Sequence, residues 1–460
     1  MLERFVRHIG SRGLLTSSDR VLVGYSGGAD STCLLALLNE AGFDVVAGHL
    51  HHSQREEADA EAVNCEAFCD SIGVPFATGQ ADVPGMARDL KIGLEEAGRK
   101  ARYAFLESAA HQLGCTHIAT AHTKDDLVET QLLNLSRGTG LLGLASIPEK
   151  RGWIIRPLLP FTKAETRGYC MERELWFHDD PANTDLSFSR ARVRHRIVPE
   201  FLILNPAFLD SSFRLAAMAG DEDRFLNGLA AAALEQCERK LNGALRFLSL
   251  DLEMAFERSK LVGLQEVLVK RAIRLGAEAL GGSLDFEQTQ LAVHGIASDS
   301  SGSVTAEGGE VVIEWSKDLV HLRNLVVDTP FRFPLTSPGE TESPVFGWKF
   351  TVSTGPPDGF PKEPSCLHQW VDDSKVEAGM HLRSIEAGDS LVPLGMSGTK
   401  KVSDLLSEAG LTLAARRRLP IICDGAGPIW LPGIAVADRV KIDSGTELAV
   451  KIEFGPLELN

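Results

Sequence analysis

The chain has 460 residues, 44% of them hydrophobic and 24% charged, with a formal net charge of −16. That length calls for two or three domains, and the balance is that of a soluble globular protein. No apolar run approaches the roughly 18 residues needed to span a bilayer, and residues 1–10 lack the apolar stretch and cleavage site of a secretion signal, so no membrane role and a cytoplasmic location are expected. The eight cysteines (Cys33, Cys65, Cys69, Cys115, Cys170, Cys237, Cys366 and Cys423) are scattered, contain no C-x-x-C pair, and read as structural thiols rather than a disulfide framework. Cys65 and Cys69, one helical turn apart, would suit a metal only if other ligands joined them. The acidic balance argues against nucleic acid binding over the whole surface. Basic clusters at 190–196 and 400–418 still leave local patches where phosphate contacts are expected.

In chain order, residues 21–25 read as a short buried strand, 32–39 as the helix after it, 44–50 as a second strand and 56–71 as a second helix. A short strand at 75–78, a long amphipathic helix at 94–113, a strand at 116–121 and a helix from Lys124 to about residue 135 continue the alternation. This is the α/β pattern of a parallel sheet with helices on both faces, assigned to a domain at 1–205. Ligands in such sheets bind beyond the carboxyl ends of the strands, which directs attention to the loops after Tyr25, Leu50 and Ala121. Residues 206–330 read as a mainly helical middle domain with a strand-like stretch at 304–327. Residues 331–364, rich in Pro, Gly, Ser and Thr, read as a linker-like segment, although 346–352 has strand character. Residues 365–460 read as a small mixed α/β domain.

The strongest local signal is Ser26-Gly27-Gly28-Ala29-Asp30-Ser31, between a strand and a helix. Adjacent glycines let backbone N–H groups approach an anion, and the helix start adds its dipole and unpaired donors. The string is neither a Walker A loop nor a G-x-G-x-x-G fingerprint. Without a ligand, it would be a glycine-rich turn with Asp30 as a capping residue. The full string resembles the pyrophosphatase loop of the N-type ATP pyrophosphatases, which share an adenine-nucleotide alpha-hydrolase-like fold. The resemblance implies ATP binding by Ser26 to Ser31 and adenylation of a carbonyl oxygen.

Further segments resemble the lysidine synthases within that group. His49-Leu-His51-His52-Ser-Gln-Arg55 is similar to their H-x-x-H-x-x-R. Glu95-Glu-Ala-Gly98-Arg99-Lys-Ala-Arg102-Tyr103 is similar to their E-x-x-A-R-x-x-R-Y, with Gly98 where Ala is usual. Ala121-His122-Thr-Lys-Asp125-Asp126-Leu-Val-Glu129-Thr130 and Arg137-Gly-Thr-Gly140 follow A-H-x-x-D-D-x-x-E-T and R-G-x-G. Asp180-Pro181-x-Asn183 and Arg190-Ala191-Arg-Val-Arg194 resemble D-P-S-N and R-N-x-x-R, with Ala182 and Ala191 as departures. Near the end, Arg383, Gly388-Asp389, Lys400-Lys401 and Arg416-Arg-Arg418 are similar to the C-terminal domain of the longer members. Taken by themselves, several of these strings would also suit solvated helix faces or ordinary caps.

The resemblance implies a two-step reaction with ATP and magnesium. The C2 oxygen of the wobble cytidine in the CAU anticodon of an isoleucine tRNA is adenylated, and L-lysine then displaces AMP, changing the codon read from AUG to AUA. Asp30, Arg102, His122, Asp126 and Glu129 are the implied catalytic residues, with Asp30 and Asp126 as candidate magnesium ligands. Arg190, Arg194, Lys400, Lys401, Arg416 and Arg418 are the implied tRNA contacts. Which carboxylate acts as base stays open, as does a homodimer. The rival expectation is a tRNA thiolation enzyme built on the same loop.

Overall fold

The computed structural model describes residues 1–51, 58–179, 186, 188–325, 330–357, 367–377 and 379–457. The chain divides into two compact units, Met1–Phe225 and Leu226–Asn460. The boundary falls inside a helix, Phe208–Cys237.

The first unit is built on one six-stranded sheet. Its strands are β1 (Arg20–Gly24), β2 (Asp44–His51), β3 (Phe76–Gln80), β4 (His117–Ala119), β5 (Lys150–Arg151) and β6 (Ile154–Ile155), in the order β3-β2-β1-β4-β6-β5. All neighbouring pairs are parallel except β5 with β6. The helices are α1 (Leu2–Ser11), α2 (Ala29–Glu40), α3 (Ala58–Ser71), α4 (Val83–Leu90), α5 (Leu94–Gln112), α6 (Lys124–Ser136), α7 (Leu141–Ala145) and α8 (Lys163–Glu172). The expected alternation is present. The short helix α4 and the hairpin β5–β6 had no separate sequence reading.

Alternation along β1 explains why both faces are covered. Val21 and Val23 pack on one side with Leu34, Leu38 and Phe161, while Leu22 packs on the other with Val46, Leu106 and Ile118. A strand buried on both faces has no polar side, and β1 reads accordingly as an unbroken apolar run. Gly48 lets α5 lie close, since a Cβ there would sit 3.2 Å from carbons of both Leu106 and Leu22. Strand order reverses direction at β1, with β2 on one side and β4 on the other. The loops after β1 and β4 therefore open a crevice at the carboxyl edge.

The second unit has two parts. An antiparallel sheet of Glu253–Glu257, Leu319–Asn324, Val311–Trp315 and Gly302–Thr305 carries helices Glu266–Ala279 and Phe286–Ala297. Ile273, Ala292 and Ile296 pack there against Ile313, Trp315 and Leu322. The middle region is thus helical with a sheet at 253–324, somewhat more β than expected.

The linker reading of 331–364 is overturned within the described residues. Arg332–Pro334, Gly339–Ser343 and Trp348–Gly355 are strands. The last of these pairs along its whole length with Ala449–Pro456, and Trp348, Phe350 and Val352 point into the core with Ile452 and Phe454. Polar outward residues, Glu340 and Glu342 in one strand and Lys349, Thr351 and Ser353 in the next, hid this segment, whereas Trp348, Phe350 and Val352 keep a period of two. A linker would tolerate Trp348→Ala. Removing this fully buried ring from a core strand is expected to cost about 3–5 kcal/mol, read as a lowered denaturant midpoint of the full chain.

Candidate active site

The crevice at the carboxyl edge of the first unit's sheet is a cleft of about 670 Å³. It gathers Ser26, Asp30, Arg102, His122, Asp126 and Arg194 from separate parts of the chain. The loop after β1 forms one wall. Gly27 has φ +76°, a conformation that L side chains rarely adopt, and a Cβ there would fall 2.9 Å from Cys65 Sγ and His178 Nδ1. The Ser26 and Ser31 hydroxyls lie 3.1 Å apart, and Ser31 Oγ donates to the Gly28 carbonyl at 3.0 Å. Helix α2 begins at Ala29, so its free N–H groups face the same loop.

Asp30 is held from α8, where the Thr166 hydroxyl donates to its Oδ1 at 2.5 Å. Burial, with the Asp126 and Asp125 carboxylates adding to it, pushes the Asp30 carboxyl up to about 6 against the pull of Thr166 and Lys163.

Helix α6 starts with a capping box. Asp126 Oδ2 accepts from the Thr123 backbone N–H and hydroxyl, each at 2.9 Å. Its Oδ1 accepts from Lys163 Nζ at 2.8 Å. Burial alone would raise the Asp126 carboxyl, but Lys163, His122 and the Thr123 hydrogen bonds hold it well below the usual carboxylate range. One turn on, Glu129 is 1% exposed. Arg194 grips it through Nε at 2.6 Å and a terminal nitrogen at 3.0 Å, and Lys163 Nζ lies 3.7 Å away. His122 accepts or donates at Nδ1 with the Thr120 hydroxyl, 3.0 Å away. Burial pushes its imidazole down to about 4, Asp126 opposing, so it is neutral at pH 7.

Arg190 and Arg194 both reach Glu129. Arg190 donates to Thr130 Oγ1 at 3.0 Å and lies 3.7 Å from Glu129, its side chain still partly exposed. Arg192 and Arg196, in the same run, are exposed and make no ion pair among the described residues. In the last domain Lys400 binds Glu408 at 3.0 Å, and Arg416 donates to the Leu411 and Leu406 carbonyls. Arg418 is 7% exposed and grips Asp251 at 2.6 and 2.9 Å. Lys401 and Arg417 are exposed there, without ion pairs among the described residues.

Arg99 and Arg102 line the cleft and make no ion pair among the described residues. Gly98 leaves room for the usual alanine, whose Cβ would meet Val83 Cγ1 at 3.7 Å. Ala191 is buried. His52, Arg55, Asp180, Pro181, Ala182 and Asn183 lie outside the described residues, as does the side chain of Glu95. Lys163 and Thr166 had no sequence reading. The signal that could have found them is the Thr162–Glu165 capping box, which marks a helix start.

Two outcomes are expected. Arg194→Ala strands the buried Glu129 charge and should cost about 3–5 kcal/mol, most of it recovered when Glu129→Gln is added, as read by thermal unfolding. Asp30 has a raised pKa, so its stabilising contribution is complete below about pH 4 and lost as pH rises through about 6. Asp30→Asn should therefore melt above the wild type at about pH 8 and level with it near pH 4.

The PP-loop domain family matches residues 2–201, and the family described as TilS substrate C-terminal domain matches residues 380–453. A tRNA(Ile)-lysidine synthase of Geobacter sulfurreducens is 31% identical over 450 residues, 94% of this chain and 93% of its own length. One from Dehalococcoides mccartyi is 28% identical and covers 99% of both chains. Among solved structures, the U34-tRNA thiolase NcsA of Methanococcus maripaludis aligns with 47% of this chain and 76% of its own, at 20% identity and a TM-score of 0.41. On the near-complete match to the first of these relatives, the chain belongs to the tRNA(Ile)-lysidine synthase family.

Proposed function

We propose that the protein uses ATP to join L-lysine to C2 of the wobble cytidine in the CAU anticodon of tRNA(Ile), releasing pyrophosphate and AMP. The observation that carries this reading is that the phosphate loop, through Ser26, Asp30 and Ser31, and the Asp126 carboxylate share one cleft, with Glu129 buried one turn behind, in a chain matched by lysidine synthases along its length. That full-length match also sets the thiolation rival aside.

The backbone N–H groups around Gly27 and Gly28 and the hydroxyls of Ser26 and Ser31 hold the leaving pyrophosphate. Arg99 and Arg102, which form no ion pair among the described residues, bring positive charge to the same cleft for phosphate oxygens. Magnesium fits Asp30, whose Oδ2 makes no hydrogen bond among the described residues, because this ion usually takes one or two carboxylates together with substrate phosphates. Asp126 fits it poorly, since Thr123 and Lys163 engage both its oxygens. Bound there, magnesium would neutralise charge on the polyphosphate.

His122, kept neutral, hydrogen-bonds the α-phosphate and then the departing AMP without adding a full charge. The ε-amine of lysine has an ordinary pKa near 10.4 and must lose a proton to attack. Once pyrophosphate has left, Asp30 offers Oδ2, which no other side chain holds among the described residues, and it accepts that proton. Arg192, Arg196, Lys401 and Arg417 contact the tRNA backbone, which positions the substrate without reading sequence. The anticodon base is reached because loop nucleotides can be splayed out of the stack.

The test is transfer of labelled lysine to an unmodified tRNA(Ile) transcript with a CAU anticodon. ATP-dependent label that disappears in Asp30→Ala is the expected result. Folded, ATP-binding protein that transfers no label would overturn the reading.

A further inference from the structure

The carboxylates of Asp126 and Glu129 are each held by a cation, but the two cations are held differently. Arg194 engages Glu129 through two nitrogens at 2.6 and 3.0 Å, a planar fork matched to a carboxylate. Lys163 arrives on a flexible arm as a point charge. Its Nζ sits 2.8 Å from Asp126 Oδ1 and 3.7 Å from Glu129 Oε1. Its side chain is 27% exposed and lines the cleft, while that of Glu129 is 2% exposed.

Two further facts bear on that ammonium group. Buried carboxylates cannot be left bare, so a cation that leaves must be replaced in the same event. The amino acid in the proposed reaction brings the same chemical group, and exchange of one ammonium for another conserves the charge of the site. Lys163 also has a second place to go. Thr166, on the same first turn of α8, binds Asp30, and Asp30 lies within electrostatic reach of Lys163 beside the phosphate loop.

We infer that Lys163 is a resident placeholder, its ammonium group occupying the position between Asp126 and Glu129 that an ammonium group of the lysine substrate takes. The substrate binds by displacing it towards Asp30 and the nucleotide phosphates. The inference rests on the lysine-ligation reading above. It adds a coupling to that reaction: ATP favours the second position of Lys163, which it takes up as lysine replaces it on the carboxylates, so nucleotide and lysine reinforce each other's binding.

Two variants of the full chain test it, through lysine binding by calorimetry and the lysine KM of the labelling assay. Lys163→Met removes the internal competitor, and lysine should bind the nucleotide-free protein about tenfold more tightly. Lys163→Arg replaces the point charge with a fork that clings to both carboxylates, and the lysine KM should rise about tenfold. A purely structural ion pair gives the opposite ranking, with loss in the methionine variant and rescue in the arginine variant, and that ranking overturns the inference. If the methionine variant does not fold, an unchanged or lower lysine KM in Lys163→Arg overturns it alone. Wild-type protein that neither binds nor transfers lysine would instead sink the ligation reading, and the placeholder with it.

Discussion

Negative charge buried at the carboxyl edge of a sheet sets the terms for the whole first unit. Asp126 and Glu129 sit on the opening turns of α6, where the helix dipole favours acids but burial does not. Meeting that demand draws in parts of the chain far apart in sequence. Lys163 comes from α8, 37 residues after Asp126, and Arg194 lies 65 residues after Glu129 in a single π-helical turn, Val193–Ile197. The neighbouring residues of the same string brace the helix further. Asp125 accepts from the Lys163 backbone N–H, and Lys124 pairs with Asp210. A short acidic string thus acts as the fastening point for α6, α8 and the segment that follows.

The same division of labour runs through the basic clusters. In 190–196 alternate arginines face opposite ways, two towards Glu129 and two outward. In 416–418 one arginine caps a neighbouring helix through its carbonyls, one closes on Asp251, and Arg417 alone of the three stays exposed. Within these two clusters, internal partners, carboxylates for Arg190, Arg194 and Arg418 and carbonyls for Arg416, leave few arginines facing solvent. This keeps non-specific attraction low, since counterion release scales with the phosphates actually contacted.

What was legible in the sequence follows from how local each feature is. The phosphate loop, the α6 string and the strand–helix alternation are contiguous, and all three stand where they were expected. The partners of those strings are not contiguous, which is why Lys163 escaped notice and the grip of Arg194 on Glu129 was not foreseen. Spacing on a helix tells which residues share a face, but not whether that face looks inward. The strand character read at 346–352 is present as Trp348–Gly355, while Gly339–Ser343 escaped notice for another reason: it is polar and short.

The position of Ala449–Pro456 governs how this protein is made. It lies inside its sheet, between Trp348–Gly355 and His368–Asp372. Synthesis delivers the outer partners first and the strand that joins them last. Until residue 456 has cleared the ribosome, Trp348 and Phe350 are paired on one side alone, by Gly339–Ser343, and two sheet edges stand open, the kind of surface that chaperones and proteases recognise. The first unit needs nothing from beyond residue 225 to complete its own sheet. A ribosome that stalls late in the message would thus leave a finished nucleotide-binding unit tethered to an unclosed one, marking the product for removal before it could meet tRNA.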